Sequence, residues 1–424
     1  MGSRGPVLLQ DNILHETLAQ FVHGQPVPRI LHTKGYGAFG SFIPYQSMAD
    51  CTALCFLQAA NQPTPAAARF SLAISSRDTP DTIRNIRGFS VKFFSDGGVF
   101  DLLCNQLPVF LVRDALRFPE AVRALMPSPV NGLPDLDQFW AFVASAPESI
   151  HFITWLYSDQ GTVKSFRHMR GYGVNTYVWV NREGRRRFVK YHWIPLAGQQ
   201  NIGQAEAARL AGENPAVAGE DLYRSIAGGN PVEFELRVQM MEPSMAGSLS
   251  YDPLDCTKVW SEADFPLIPV GRLTLDRNPE EFRTQVENLA FSPANLLTGA
   301  ELSDDRLLQG RANIYWNAQR LRLGPGFRGL SANRQQNWHP EDLVTSGCGT
   351  EVSGPLTRTA TPLGDDFAQA GERFRGMEPE QQEHLISNLS AELKLVQEET
   401  RRTVLDYFNE ADPELAQRLG AACR

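Results

Sequence analysis

The chain has 424 residues, 42% apolar, 10% aromatic and 21% charged, a globular composition that excludes disordered and fibrous classes. Forty basic residues against 48 acidic ones give a formal charge of −8, the wrong sign for a broad nucleic-acid or anionic-membrane partner. No apolar run approaches the ~20 residues of a membrane span, and the opening MGSRGPVLLQDN lacks an apolar signal core. The cytoplasm is therefore the expected compartment.

In chain order, residues 1–26 read as an arm with one short helix over 16–21. Residues 27–275 carry short β-type runs rich in β-branched and aromatic residues: TYVWVN at 176–181, FVKYHWI at 188–194 and VEFELRVQM at 232–240. NREGR at 181–185 is a hairpin signal between the first two. Helices are expected over 135–146 and 204–213. Residues 276–365 read as an irregular wrapping segment with one helix near 303–322. Residues 366–424 form a helical region. There Pro379 opens one long amphipathic helix through Leu385, Leu389, Leu393, Val396, Val404 and Phe408, and Asp412-Pro413 caps a last helix. The fold class is α+β, with an antiparallel β body.

The common signatures give little. Gly35, Gly37 and Gly40 in GYGAFG match G-x-G-x-x-G, yet no acidic residue stands about 20 positions on, so a strand in a tight pocket is the better reading. No G-x-S-x-G, H-E-x-x-H or phosphate-loop motif occurs. The six cysteines are scattered, and Cys51 and Cys55, read as two residues of one short helix, lack a second pair to complete a zinc site. Cys348, in a glycine-bearing loop, is scored as incidental. Three polar and aromatic clusters remain: Arg29 to Gly35, Asp101 to Asp114, and Arg311 to Tyr315 with Arg322. Arg311 and Tyr315, four apart, share one helix face, and a guanidinium beside a phenol favours phenolate, an oxygen ligand able to hold ferric iron.

In that order the clusters resemble the haem catalases. DTIRNIRGFSVKFF (81–94), PVFLVRDALRFP (108–119), FRHMRGYG (166–173), DCTKVWSEADFPLIPVGRLTLDRNP (255–279), ENLAFSPAN (287–295) and LLQGR (307–311) all look like sequence of that family, and the C-terminal helices resemble its small-subunit members. The resemblance implies a β-barrel around haem b, with Tyr315 as the iron ligand and Arg311 keeping it a phenolate. It implies His32 as the general base, Asn105 as the amide that hydrogen-bonds the bound oxygens, and Ser71 as the hydroxyl orienting His32. Arg29, Arg69 and Arg322 would meet the haem propionates, and Phe118 and Phe110 would pack on the haem.

Departures from the family pattern cluster around the approach to iron: Leu31 for valine, Asn85 for aspartate, Leu111 for phenylalanine and Leu125 for glutamine. Asn175 also stands in place of a histidine. These changes suggest a specialised enzyme that uses peroxide to oxidise or oxygenate a small organic molecule. Ordinary disproportionation of hydrogen peroxide to water and oxygen is the alternative, and a haem-binding relative without turnover the third reading. Gln160, Arg170, Ile194 and Glu262 replace residues of the family's NADPH pocket, where His151 and Ser158 are kept, so tight NADPH binding is not expected. A homo-oligomer, tetramer or dimer, is implied, although the segment 327–362 looks shortened.

Overall fold

The structure is a computed structural model and describes residues 28–334 and 364–424. The arm over 1–26 and Cys348 lie outside the described residues. Ten strands form one antiparallel sheet: β1 (Gly35–Pro44), β2 (Thr64–Leu72), β3 (Arg87–Ser95), β4 (Gly98–Asn105), β5 (Gly171–Tyr172), β6 (Tyr177–Val180), β7 (Arg186–Pro195), β8 (Val232–Met241), β9 (Ile268–Arg277) and β10 (Ala300–Leu302). Their order is β10-β6-β7-β5-β4-β3-β2-β1-β9-β8, and a further pairing of β7 with β8 closes eight of them into a barrel. Closure removes the open edges that a flat sheet would expose. GYGAFG is the start of β1, and NREGR makes the β6–β7 hairpin, with Gly184 at φ +80°.

Alternation along the strands gives the wall two faces. Phe70, Phe89 and Phe93 point inward. Their rings meet Phe234 and Trp193 across the barrel, with centroids 4.7 Å apart for Phe89–Phe234 and 5.7 Å for Phe89–Trp193. The interior is thus a packed aromatic core, so the barrel does not surround a haem site, contrary to what the resemblance implies, and a cavity lies on its outer face instead. One residue further along, register places Ser71 opposite Gly88 and Gly88 opposite Asn105, with Arg69, Ser90 and Leu103 in the next row. Both rows face outward, toward the helix Arg306–Leu323.

A third outward row holds a buried ion pair. Lys92 and Asp101, cross-strand partners, are both fully buried with Nζ 2.5 Å from Oδ1. The other carboxylate oxygen of Asp101 accepts from the Ser292 N–H at 2.9 Å and the Asn295 amide at 2.7 Å. This row ties the segment carrying Phe291 to the barrel wall. Lys92→Met should cost about 3–5 kcal/mol by stranding the carboxylate, read as a shift of the denaturant midpoint at constant m. An unchanged midpoint would mean that the pair does not hold the wall.

The second core lies between residues 107–156 and the C-terminal helices. The periodic stretch after Pro379 is two helices, Pro379–Leu393 and Glu398–Ala411, not one. The chain breaks over 394–397, where Gln397 takes an extended ψ of 140° and its N–H donates to the Asp137 carboxylate at 2.9 Å. Asp412 caps the last helix, Pro413–Ala422, as expected. The helix Gln204–Glu213 matches its predicted span, and Leu136–Ser145 is capped by Asp135. Cys51 and Cys55 do not share a helix: Cys51 sits in a turn, and Cys55 opens the short 3-10 turn Cys55–Leu57 and donates to Ser95 Oγ. Among the described residues no helix is long and apolar enough to cross a membrane.

Candidate active site

A cavity of about 1050 Å³ lies between the outward face of β2–β4 and the helix Arg306–Leu323, open solvent at its mouth included. Ten of the residues singled out from sequence line it: Arg29, Leu31, His32, Arg69, Ser71, Asn105, Phe118, Arg311, Tyr315 and Arg322. They come from five separated stretches of chain, brought together by strand register and by one helix face.

On the strand wall, His32 has the left-handed φ of +62°, uncommon for a non-glycine residue, and its N–H donates to Ala73 C=O at 2.8 Å. The imidazole Nδ1 lies 3.0 Å from Ser71 Oγ. Burial, then the charges of Arg69, Arg311 and Arg29, push its pKa down to about 3, so the ring is neutral at physiological pH. Space for it comes from Gly88: a Cβ there would stand 2.8 Å from Ser71 Oγ and 3.0 Å from the His32 ring. Gly88→Ala should therefore displace the ring and lower turnover by about 10²-fold at unchanged haem content, compared by oxygen evolution per haem. An undiminished rate would show that the ring does not need that space.

On the helix wall, Asp305 caps the first turn by accepting from Leu308 N–H at 3.0 Å. Helical spacing then turns Arg311, Tyr315, Gln319 and Arg322 into the cavity. Arg311 Nη2 donates to the Tyr315 hydroxyl at 3.1 Å. Burial works against the Arg311 charge, but Tyr315 and Tyr177 beside it outweigh burial and hold its pKa above the ordinary value.

One end of the cavity is crowded with cations. Arg29 donates to the Glu287 carboxylate at 2.9 Å, Arg69 lies 3.5 Å from the other oxygen, and Arg322 donates to the Glu287 and Leu289 carbonyls. Burial and mutual repulsion lower the pKa of Arg69 and bring that of Arg322 to about 9. Arg69 Nε is buried with no partner. Three guanidinium groups against one carboxylate suit a ligand that brings two more, and the rest of the lining, with Phe118, Phe291 and Ile314, suits a flat apolar ring. Haem has both features, so the residues present fit it.

Four other predicted residues do not line this cavity. Phe110 stacks behind Phe118, centroids 6.0 Å apart, and Leu111 is buried in the second core, against which Leu125 packs. Asn85 uses its amide on the backbone of Ile74, donating to its C=O at 2.7 Å and accepting from its N–H at 3.4 Å. Aspartate there would lose the donor, so local pairing accounts for the asparagine. Sequence reasoning missed Glu287 and Gly88. A carboxylate amid three arginines has no sequence signature, whereas the Ser71–Gly88–Asn105 row follows from strand register.

With this geometry in view, the comparisons decide the family. A catalase sequence profile matches residues 1–349, and a catalase-related immune-responsive profile matches 361–423. The chain belongs to the catalase family. A catalase of Helianthus annuus is 37% identical over 99% of this chain and 92% of its own length. A bacterial catalase structure superposes with a TM-score of 0.92 at 34% identity, covering 99% of this chain and 91% of that one. Catalase A of Saccharomyces cerevisiae gives 0.91 at 30% identity, covering 100% and 95%. As a member of the catalase family the protein is a haem-dependent oxidoreductase acting on hydrogen peroxide. Its relatives lend no support to a specialised organic substrate, and they favour the alternative reading, that of an ordinary catalase.

Proposed function

We propose that this catalase-family protein disproportionates hydrogen peroxide to water and oxygen, using haem b held by Tyr315. The observation that carries the reading is one cavity with the neutral His32–Ser71 pair and Asn105 on one wall and the Arg311–Tyr315 pair on the other. When bound, haem supplies a ferric iron that accepts peroxide oxygen and exchanges its electrons. Tyr315 offers the phenol oxygen as iron ligand, and the Arg311 donor favours its ionised form. Arg29, Arg69 and Arg322 hold the propionates. His32, with Nδ1 engaged by Ser71, keeps Nε2 to take a proton from one peroxide oxygen and return it to the other. Asn105 can donate its amide N–H to the same substrate. Leu31 and Phe118 line the same cavity as the His32 ring.

Two molecules of peroxide leave as two waters and one oxygen, and His32 ends the cycle neutral. The deciding measurement is oxygen evolution per haem beside an ordinary catalase. A rate lower by orders of magnitude, with the haem spectrum intact, would overturn this function. Assembly into a homo-oligomer belongs to the same reading.

The reading includes no NADPH. Arg373, from the helix Ala368–Arg375, lies 3.4 Å over the Trp155 ring and donates to Ser158 Oγ and Gln160 Oε1, both at 2.9 Å. His151 spends both nitrogens on Thr257 C=O and Trp155 Nε1. The polar groups assigned to the dinucleotide by resemblance are thus engaged within the chain. NADPH fluorescence should not change on titration with the holoenzyme. Saturable enhancement would overturn this part.

A further inference from the structure

β2 ends at Leu72, β3 begins at Arg87 and β4 ends at Asn105, so Ser71 and Asn105 stand where the ladders run out. The ends of a ladder fray unless other groups take up their N–H and C=O groups. Here two side-chain amides do so. Gln106, one residue past β4, donates its N–H to Arg87 C=O at 3.1 Å, and its Oε1 accepts from Arg87 N–H at 2.5 Å. These are the two bonds of an antiparallel pair, with a side-chain oxygen in place of one carbonyl. Gln106 Nε2 then donates to Asn85 C=O at 2.6 Å, which Arg87 Nη1 also reaches at 3.0 Å. The Asn85 side chain pairs in turn with both backbone groups of Ile74, past the end of β2. The neighbouring Ala73 C=O receives the His32 N–H. Gln106 and Asn85 are both buried.

We infer, on the reading of His32 and Asn105 as the groups that meet peroxide, that Gln106 and Asn85 are positioning residues. Together they form an amide clip that ties the backbone beside Asn105 to the backbone that seats His32, and so sets the separation of the two groups. Both places call for an amide. Arg87 N–H needs an acceptor and Asn85 C=O a donor, while Ile74 offers one group of each kind. A carboxylate cannot donate, an ammonium cannot accept, and either would bring a charge into a buried site. The tether matters because His32 holds its left-handed φ of +62° only while its surroundings fix it.

Gln106→Met keeps the length of the side chain and removes both of its hydrogen bonds. Gln106→Glu keeps the acceptor and loses the donor. In haem-free protein, hydrogen exchange reads the clip directly. Gln106→Met should speed exchange by about 5–10-fold for each bond lost, at Arg87 and also across residues 72–75, the seat of His32. Acceleration confined to Arg87 would overturn the clip. Gln106→Glu should speed residues 72–75 and leave Arg87 slow, and it carries the tests if the methionine variant does not fold. Wild-type exchange over 72–75 in that variant would count against the clip equally. In haem-loaded protein, Gln106→Met should slow peroxide cleavage by up to about 10²-fold, but far less when Asn105 is already alanine, since no separation is then left to set. Equal losses in the two backgrounds would overturn a positioning role. Wild-type rates in His32→Ala and Asn105→Ala by themselves would instead overturn the reading of that pair, and with it the purpose of the clip, whatever the exchange shows.

Discussion

Replacing His32 by alanine should leave haem uptake intact and slow peroxide cleavage by about 10²–10⁴-fold, the range a positioned general base contributes. Cys104 also lines the cavity, but burial raises its pKa above the ordinary thiol value, so it offers no base. On the proposed reading Tyr315 is reserved for iron, and the arginines only donate. The His32 ring is kept neutral by burial and by its cationic neighbours, so its lone pair is available at any ordinary pH. Ser71→Ala, which keeps the ring but frees its orientation, should cost about 5–10-fold, the worth of one hydrogen bond. Stopped-flow mixing of the haem-loaded variants with peroxide separates the two effects. A wild-type rate in His32→Ala would remove the base from the mechanism. Equal losses in both variants would mean that orientation, not proton transfer, is what His32 supplies.

The residues of this site were readable as a set only through their resemblance to a family, because nothing local joins them. His32, Ser71 and Asn105 stand on a loop and two strands, and the register that aligns them is a property of pairing across β2, β3 and β4. Local signals did better on elements. Gln204–Glu213, Asp412-Pro413 and the β6–β7 hairpin are set by spacing and turn chemistry within a dozen residues, and these agree with the structure. Periodicity misled where it ran on. Leu393, Val396, Val404 and Phe408 keep helical spacing through the break at 394–397, since two packed helices can present their apolar faces to one core.

The buried Lys92–Asp101 pair had a signal in the sequence. Asp96-Gly97 is a two-residue hairpin turn, and counting outward from it sets Lys92 opposite Asp101. Arg373 had none. It lies 215 residues from Ser158, and only the docking of the C-terminal helices brings them together. Asn85, which departs from the family pattern at the expected approach to iron, spends its amide on Ile74. A departure from a family pattern points to an altered substrate only when the side chain reaches the site. Leu31 does.

Acid should unfold this protein well before its carboxylates titrate. Burial pushes His32, His151 and His192 down to about 3, each as a neutral ring. The bonding explains why protonation is resisted. His151 Nε2 accepts from the Trp155 indole N–H at 3.0 Å, so a proton there would set donor against donor. His192 Nε2 faces Gln239 Oε1 at 3.0 Å while its Nδ1 is buried without a partner, so a second N–H would be stranded. Between pH 6.5 and 3 the unfolded chain binds more protons than the folded one, so stability rises with pH across that window and is lost as pH falls. At pH 5 each ring forfeits about 2 kcal/mol relative to pH 7, and the three together about 6 kcal/mol, a large part of a typical net stability. Denaturant melts at pH 7.5, 6 and 5 should show the midpoint falling steeply. His192→Gln, which cannot take up that proton, should flatten the fall by about a third. A midpoint level from pH 7.5 to 5 would mean that these rings are hydrated and charge freely, and the neutral His32 on which the proton transfer depends would go with them.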